Sequence, residues 1–207
     1  DFNWPSFYIY FSEILAQYLN FFNPDMVGIS TLFSTAFNNM IDLAEVVKNI
    51  KPEVFLIAGG NVPTVSYRAI FARTDKFDAI CYGEGELPLY RLLTASDWSI
   101  YVEQDSSWIT NSKVTSVGKY DFIHDLDEIP FDYSIINQCD YELNPTIFYY
   151  PPFRSKGRSF NIMTSRGCPF KCVFCASHRT HGREMRYYSL ERVKADIANL
   201  VNNYDIK

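Results

Sequence analysis

Val54-Phe55-Leu56-Ile57-Ala58-Gly59-Gly60 sets the architecture of this 207-residue chain. Four consecutive large apolar residues are typical of a strand that is buried on both faces of a parallel sheet. The two glycines that follow favour a sharp turn of the backbone where the strand ends. We therefore predict a buried β-strand over 54–57 that ends at glycine.

Similar short apolar runs lie on either side of this strand, over 26–30 and 79–82. Between and around them the apolar residues follow a helical period, over about 6–22, 35–49, 65–72 and 86–93. An alternation of strands and helices favours right-handed crossovers and a parallel sheet. The predicted fold class is therefore α/β, with a parallel, Rossmann-like sheet in the first half of the chain.

Three loops follow the predicted strands, at the edge where open parallel sheets bind their ligands. They are Ser30-Thr31, the run over 59–64, and Gly83-Glu84-Gly85-Glu86. Glycine lets a backbone approach a ligand closely, but glycine also ends strands in folds that bind nothing there. A ligand site and purely structural turns are both open on spacing alone. The sequence has no G-x-G-x-x-G run, so a dinucleotide site is not supported.

The pattern changes after residue 97. Residues 107–110 and 113–116 resemble the two arms of a hairpin with a polar turn at 111–112, which is interpreted as a small flap or as an edge addition to the sheet. Residues 118–160 resemble a linker. A strand over 160–164 is predicted to deliver a cysteine-rich loop. Ser189 can cap a following helix that extends to about residue 203, and a further strand is predicted to begin near Ile206. The buried stripe predicted for that helix is Leu190, Val193, Ile197, Leu200 and Val201.

The composition of the chain argues against several classes of protein. Hydrophobic residues make up 47% and charged residues 21% of the chain, as in ordinary globular proteins. A formal net charge of -5 argues against bulk nucleic-acid binding. No apolar run approaches the roughly 18 residues of a membrane span, and no signal peptide is recognisable. Five cysteines, three of them crowded together, favour the reducing cytoplasm over a secreted disulfide framework.

The crowded cysteines are Cys168, Cys172 and Cys175, with the spacing C-x3-C-x2-C. Three thiolates are one fewer than the four that close a cubane 4Fe–4S cluster, so one iron would stay open. Residues 154–186 hold eight Lys or Arg and a single acid, which suits an anionic cluster with an anionic ligand or is simply a solvated basic face.

Other interpretations of the cysteine loop are open. They are a zinc site completed by His178, a redox-active pair of Cys172 and Cys175, and a loop without metal. Cys139 has no cysteine neighbour and is interpreted as a structural or free thiol.

The loop Cys168-Pro169-Phe170-Lys171-Cys172-Val173-Phe174-Cys175 resembles that of the radical S-adenosylmethionine (radical SAM) enzymes. Their signature is C-x3-C-x-aromatic-C in the loop after the first strand of a partial TIM barrel. The preceding run over 164–167 and the helix after Ser189 also resemble this family. The resemblance implies that 161–207 is the start of such a barrel, incomplete after its first strand and helix.

The first half resembles the cobalamin-binding domain of one branch of this family. The resemblance implies a cobalamin-binding-like domain over 1–117, a linker over 118–160, and cobalamin contacts from the three strand-end loops. The implied contact residues are Ser30, Thr31, Gly59, Gly60, Asn61, Val62, Gly83, Glu84 and Gly85.

The resemblance also implies a mechanism. Cys168, Cys172 and Cys175 would hold three irons, the fourth iron would bind S-adenosylmethionine, and Phe174 would lie against the adenine. An electron donor such as flavodoxin or ferredoxin would reduce the cluster, which would then cleave S-adenosylmethionine to a 5′-deoxyadenosyl radical. This radical would abstract hydrogen from a small-molecule substrate. Cobalamin would serve methyl transfer or ring formation.

Two departures from the family pattern shape these expectations. The D-x-H-x-x-G run that supplies an axial histidine in many cobalamin domains is absent, and His124 in the linker is a poor substitute. Either that run precedes Asp1 or cobalt is bound without histidine. The incomplete barrel predicts an inactive fragment. The competing hypotheses are a module that binds cobalamin or another small ligand with a structural cysteine segment, and a purely structural domain.

Overall fold

The structure is a computed structural model and describes residues 4–116, 122–135 and 160–204. The chain forms two compact units. The first comprises residues 1–123 with 170–182, and the second comprises 124–169 with 183–207. Residues 136–159, which include Cys139, and the strand predicted near Ile206 lie outside the described residues.

The first unit is built on a sheet with the strand order β1-β2-β3-β4. Three strands are parallel and the fourth pairs antiparallel with β3: β1 is Met26–Ser30, β2 is Phe55–Gly59, β3 is Ala79–Cys81 and β4 is Trp108–Ile109. Ser30 pairs in register with Gly59, so the carboxyl ends of β1 and β2 lie at one edge. The predicted α/β fold with a mainly parallel sheet is confirmed.

Helices cover both faces of this sheet, so the unit has three layers. They are α1 (Trp4–Phe22), α2 (Phe37–Ile50), α3 (Asn61–Arg73), α4 (Glu86–Thr94) and α5 (Trp98–Gln104). Successive strand residues alternate between the two layers, as the pleat of a strand requires.

The alternation is clearest in β2. Leu56 and Ala58 pack in one apolar core with residues of α2 and α3, whereas Ile57 packs in a second core with Leu92 of α4 and Val102 of α5. Burial of β2 on both faces explains why its sequence is a continuous apolar run.

Two sequence predictions for this unit were wrong in detail. Helix α3 begins at Asn61 rather than 65, because the Thr64 N–H already donates to the Gly60 carbonyl over 3.1 Å. The predicted hairpin is absent: β4 pairs with β3, and residues 111–113 form a 3-10 turn in place of a second arm. The alternative of an edge addition to the sheet is confirmed.

The second unit contains a short antiparallel pair and one long helix. In the pair, β5 (Ser165–Arg166) lies beside β6 (Arg186–Tyr187), so the strand predicted over 160–164 begins later than expected. Ser189 caps α7 (Leu190–Tyr204) as predicted, since its Oγ accepts from the Arg192 N–H over 3.1 Å. Extension of this pair into a barrel stays a prediction.

The apolar stripe of α7 is less buried than the sequence predicted. Leu200 is buried, whereas Leu190, Ile197 and Val201 are exposed. The prediction of a buried stripe was therefore wrong for these three residues. Among the described helices, none combines the length and the apolar character that crossing a membrane requires.

Candidate functional site

The first two strand-end loops are fixed to each other and to the start of α3. The Thr31 N–H donates to the Gly59 carbonyl over 3.0 Å, and the Thr31 carbonyl accepts from the Val62 N–H over 3.1 Å. Thr31 itself is buried. The predicted contact residues after β1 and β2 therefore form one hydrogen-bonded structure rather than two independent loops, and Val62, like Thr31, is buried in it.

Gly60 makes this close approach possible. Its φ is +97°, in the region that favours glycine, and a Cβ at this position would lie 2.8 Å from the Thr31 carbonyl oxygen. Any other residue would strain the backbone and also clash with the first loop. Glycine is required here by the fold itself, so this glycine alone does not indicate a ligand.

The third loop joins the other two through Thr64 of α3. The buried Thr64 Oγ1 accepts from the Gly83 N–H over 3.1 Å, and Gly83 has a φ of +84°. All three predicted loops thus meet at one edge of the sheet. The role of Thr64 was not predicted, because the sequence placed it at the end of the loop over 59–64 rather than in the first turn of a helix.

Asn61 and Glu84 lie at this edge, but their side chains bond to a distant part of the chain. Thr180 Oγ1 donates to Asn61 Oδ1 over 2.6 Å, and His181 Nδ1 lies 2.9 Å from Glu84 Oε1. The Glu84 side chain is completely buried, and that of His181 is 28% exposed. No sequence pattern pointed to Thr180 or His181, since both partners are about a hundred residues away.

These contacts anchor the segment that carries two of the three clustered cysteines. It ends in a short helix, α6 (Ser177–Thr180), which packs on α3. Cys172 and Cys175 precede α6, and the Cys175 N–H donates to the Cys172 carbonyl over 3.3 Å. The cysteine segment therefore belongs to the same compact unit as the strand-end loops.

The clustered thiols are accessible. Cys172 is exposed, Cys168 and Cys175 are half-buried, and the Phe174 ring is 90% exposed. Soft thiolate donors suit iron–sulfur clusters or zinc, so the chemistry of the donor set fits either. Within the described ranges, there is no group of three or more His, Cys, Asp or Glu side chains placed to hold a metal ion, and this also applies to groups with His178.

Cys81, at the end of β3, differs from the clustered thiols. It is buried, and this burial raises the pKa of its thiol to about 12, with smaller contributions from Glu86 and Asp105. A thiol that stays protonated near neutral pH is a poor metal ligand. Cys81 is therefore a packing residue.

Comparison with known proteins bears directly on this edge of the sheet. Residues 1–93 match the family model of the B12 binding domain, which covers β1, β2, β3 and all three strand-end loops. The C-x3-C-x-F-C loop follows in the same chain. In both features the chain is similar to cobalamin-binding radical SAM proteins.

Several curated proteins align with most of the chain. An uncharacterized methyltransferase of Pyrococcus horikoshii is 34% identical over 95% of this chain and 41% of its own length. The anaerobic magnesium-protoporphyrin IX monomethyl ester cyclase of Cereibacter sphaeroides is 28% identical, over 94% and 31%. The cobalamin-dependent radical SAM methyltransferase TokK of Streptomyces tokunonensis is 26% identical, over 84% and 25%. The chain spans less than half the length of each.

Proposed function

We propose that this chain binds cobalamin at the carboxyl ends of β1, β2 and β3 and holds a 4Fe–4S cluster through its cysteine loop. The observation that carries the proposal is the anchoring of the segment with Cys172 and Cys175 on the strand-end loops of the B12 binding domain. Because of this anchoring, we expect cobalamin and the cluster to act at the same site.

The cobalamin part of the proposal uses the three strand-end loops. Ser30 is exposed at the end of β1, and the residues at 59, 60, 83 and 85 are glycines, which have no side chain. Such loops suit close packing of a large planar cofactor against backbone. Asn61 and Val62 begin α3 at the same edge, and Glu84 supports the third loop from its buried position.

The cluster part assigns Cys168, Cys172 and Cys175 as ligands to three irons and Phe174 as the ring that packs on the adenine of S-adenosylmethionine. The exposure of Phe174 supports this role, since a ring that packs in no core of its own unit is available to a ligand. When bound, these cofactors supply one-electron cleavage of S-adenosylmethionine to a 5′-deoxyadenosyl radical.

For the whole protein we propose a cobalamin-dependent reaction on a small-molecule substrate, either methyl transfer or ring formation. The relatives named as methyltransferases and as a cyclase support these two classes. Reduction of the cluster calls for an electron donor such as flavodoxin or ferredoxin. The proposed compartment is the reducing cytoplasm, where thiolate ligands stay reduced.

The test is reconstitution of the 207-residue chain under anaerobic conditions, with two readouts. Iron and sulfide should give close to four of each per chain and a broad visible absorbance. Cys168→Ala, Cys172→Ala and Cys175→Ala should each lose most of both, whereas Cys139→Ala is the matched control and should retain them. Zinc without iron would support a binding module with a structural cysteine segment instead.

The second readout is retention of hydroxocobalamin in equilibrium dialysis. Ser30→Trp places a bulky side chain at the proposed site and should weaken retention at least about tenfold, which corresponds to ~1.4 kcal/mol of binding free energy. Glu53→Trp is the matched control, because Glu53 is exposed at the opposite edge of the sheet. No retention by the unmodified chain would overturn the cobalamin assignment and favour a purely structural domain.

A further inference from the structure

Two neighbouring residues tie the end of the cysteine segment to two different strand ends. Thr180 bonds to Asn61, the first residue of α3 after β2, and His181 bonds to Glu84 in the loop after β3. A segment held at adjacent positions by two separate elements can neither slide nor rotate without breaking a contact. These two contacts define its placement within the unit.

The Glu84–His181 contact is the stronger restraint of the two. A carboxylate with no exposed surface is costly unless hydrogen-bond donors face it, and the His181 imidazole is one such donor at 2.9 Å. Hydrogen bonds to charged groups also contribute more than bonds between neutral groups. The burial of Glu84 therefore favours conformations of the segment that keep His181 in contact with its carboxylate.

The segment has little stability of its own. Helix α6 is four residues long, closed by bonds from the Arg179 N–H to the Ala176 carbonyl and from the His181 N–H to the Ser177 carbonyl, both of 2.8 Å. One isolated helical turn is unstable in water, because fixing its backbone costs more than one or two hydrogen bonds return. Its order therefore depends on contacts to the rest of the unit, among them the hydrogen bonds to Asn61 and Glu84.

We propose that Asn61 and Glu84 are positioning residues for the cysteine loop. Their side chains act through Thr180 and His181 to hold residues 176–182, and thereby Cys172 and Cys175, at the edge where cobalamin binds. Occupancy of that edge restrains the same residues further, so the cofactor site and the cysteine loop are coupled. The coupling to cobalamin rests on the proposed function, whereas the positioning role does not.

Hydrogen exchange of the 207-residue chain, followed by mass spectrometry of peptides that cover 176–182, tests the positioning role. His181→Leu removes the donor at similar volume and should speed exchange there about tenfold, with the strands of the sheet unchanged. His178→Leu is the matched control on the same helix, since His178 makes no bond to Asn61 or Glu84 in the described structure. His181→Asn retains a donor and should restore slow exchange.

Hydroxocobalamin then tests the coupling. It should slow exchange over 176–182 in the unmodified chain and have little effect there in His181→Leu. Equal exchange in His181→Leu and His178→Leu would overturn the positioning role. Retained cobalamin with unchanged exchange over 176–182 would overturn the coupling. Failure to retain cobalamin would instead overturn the proposed function, and the comparison of the two histidine variants would still decide the positioning role.

Discussion

At the scale of single residues, the two glycines that end β2 have different roles. Gly60 has a positive φ and faces the Thr31 carbonyl, whereas a Cβ at Gly59 would make only an ordinary contact, 3.8 Å from the Cys81 Cβ. The sequence predicted the glycine pair as the end of a strand. It could not distinguish the two positions, because the difference arises from a loop 30 residues earlier.

Gly60→Ala should therefore lower the free energy of unfolding by ~1–3 kcal/mol, through backbone strain and the clash with Thr31. Urea denaturation followed by tryptophan fluorescence measures this change. Gly59→Ala is the matched control and should change the free energy of unfolding by less than about 1 kcal/mol. Equal effects of the two substitutions would contradict the conformation of Gly60 described above.

At the scale of elements, the connection from α5 to β4 is organised by Asp105. Its carboxylate accepts from the Ser107 N–H over 2.7 Å and from the Tyr101 hydroxyl over 2.8 Å. Burial acts to raise the pKa of Asp105, but the bonds from Ser107 and Tyr101, helped by Arg91, outweigh it and lower the pKa. Burial, followed by the hydrogen bond to Asp105 and the charge of that carboxylate, raises the pKa of Tyr101 to about 12.

A carboxyl whose pKa is lower in the folded than in the unfolded chain stabilises the fold above its unfolded pKa, about 3.9 for Asp. That stabilisation is lost as the pH falls through the folded pKa. Asp105→Asn should therefore be less stable than the unmodified chain near pH 6, and the gap should narrow below about pH 4. For Tyr101→Phe, the difference in stability from the unmodified chain should narrow less over the same pH range. Urea denaturation at several pH values measures both, and a gap independent of pH would exclude the proposed role of Asp105.

The same region shows why local sequence patterns failed for β4. Residues 107–116 alternate in a way that is typical of a hairpin, yet Trp108 and Ile109 pair with β3, whose edge offers unpaired backbone groups. Helix α5 was not predicted either, because it is only seven residues long and is stabilised by Asp97, whose Oδ1 accepts from the Ile100 N–H. Strand β4 therefore depends on long-range pairing with β3, and helix α5 depends on a single capping residue.

At the scale of the whole molecule, the two compact units have unequal cores. The first unit contains both apolar cores of the described structure, whereas the buried apolar residues described in the second are Leu126, Ile129, Tyr133 and Leu200. Because hydrophobic stabilisation grows with buried apolar area, the second unit should be the less stable.

The three tryptophans, Trp4, Trp98 and Trp108, all belong to the first unit, so fluorescence reports on that unit alone. Far-UV circular dichroism also records α7 of the second unit. In urea, the dichroism should begin to change at lower concentration than the fluorescence. Leu200→Ala should shift only the early change, and coincident curves for the two probes would show that the units unfold together.

Sequence reasoning was most successful where the signal was local and repeated. The apolar runs and glycines predicted β1, β2, β3 and the edge at which their loops meet, because a strand buried on both faces allows little else. The bonds of Thr180 and His181 to that edge could not be predicted, since they join residues far apart in sequence that match no pattern. The candidate site was therefore found as a set of loops, and its link to the cysteine segment required the structure.

The burial of Cys81 has a practical consequence for chemical labelling. With a thiol pKa of about 12, its reactive thiolate is a very small fraction of the population at pH 7 to 8. Maleimides and iodoacetamide should therefore modify the exposed Cys172 in the folded chain and leave Cys81 untouched until the chain unfolds. Cys81 thus provides an internal reporter of unfolding in any preparation where the cysteine loop is labelled first.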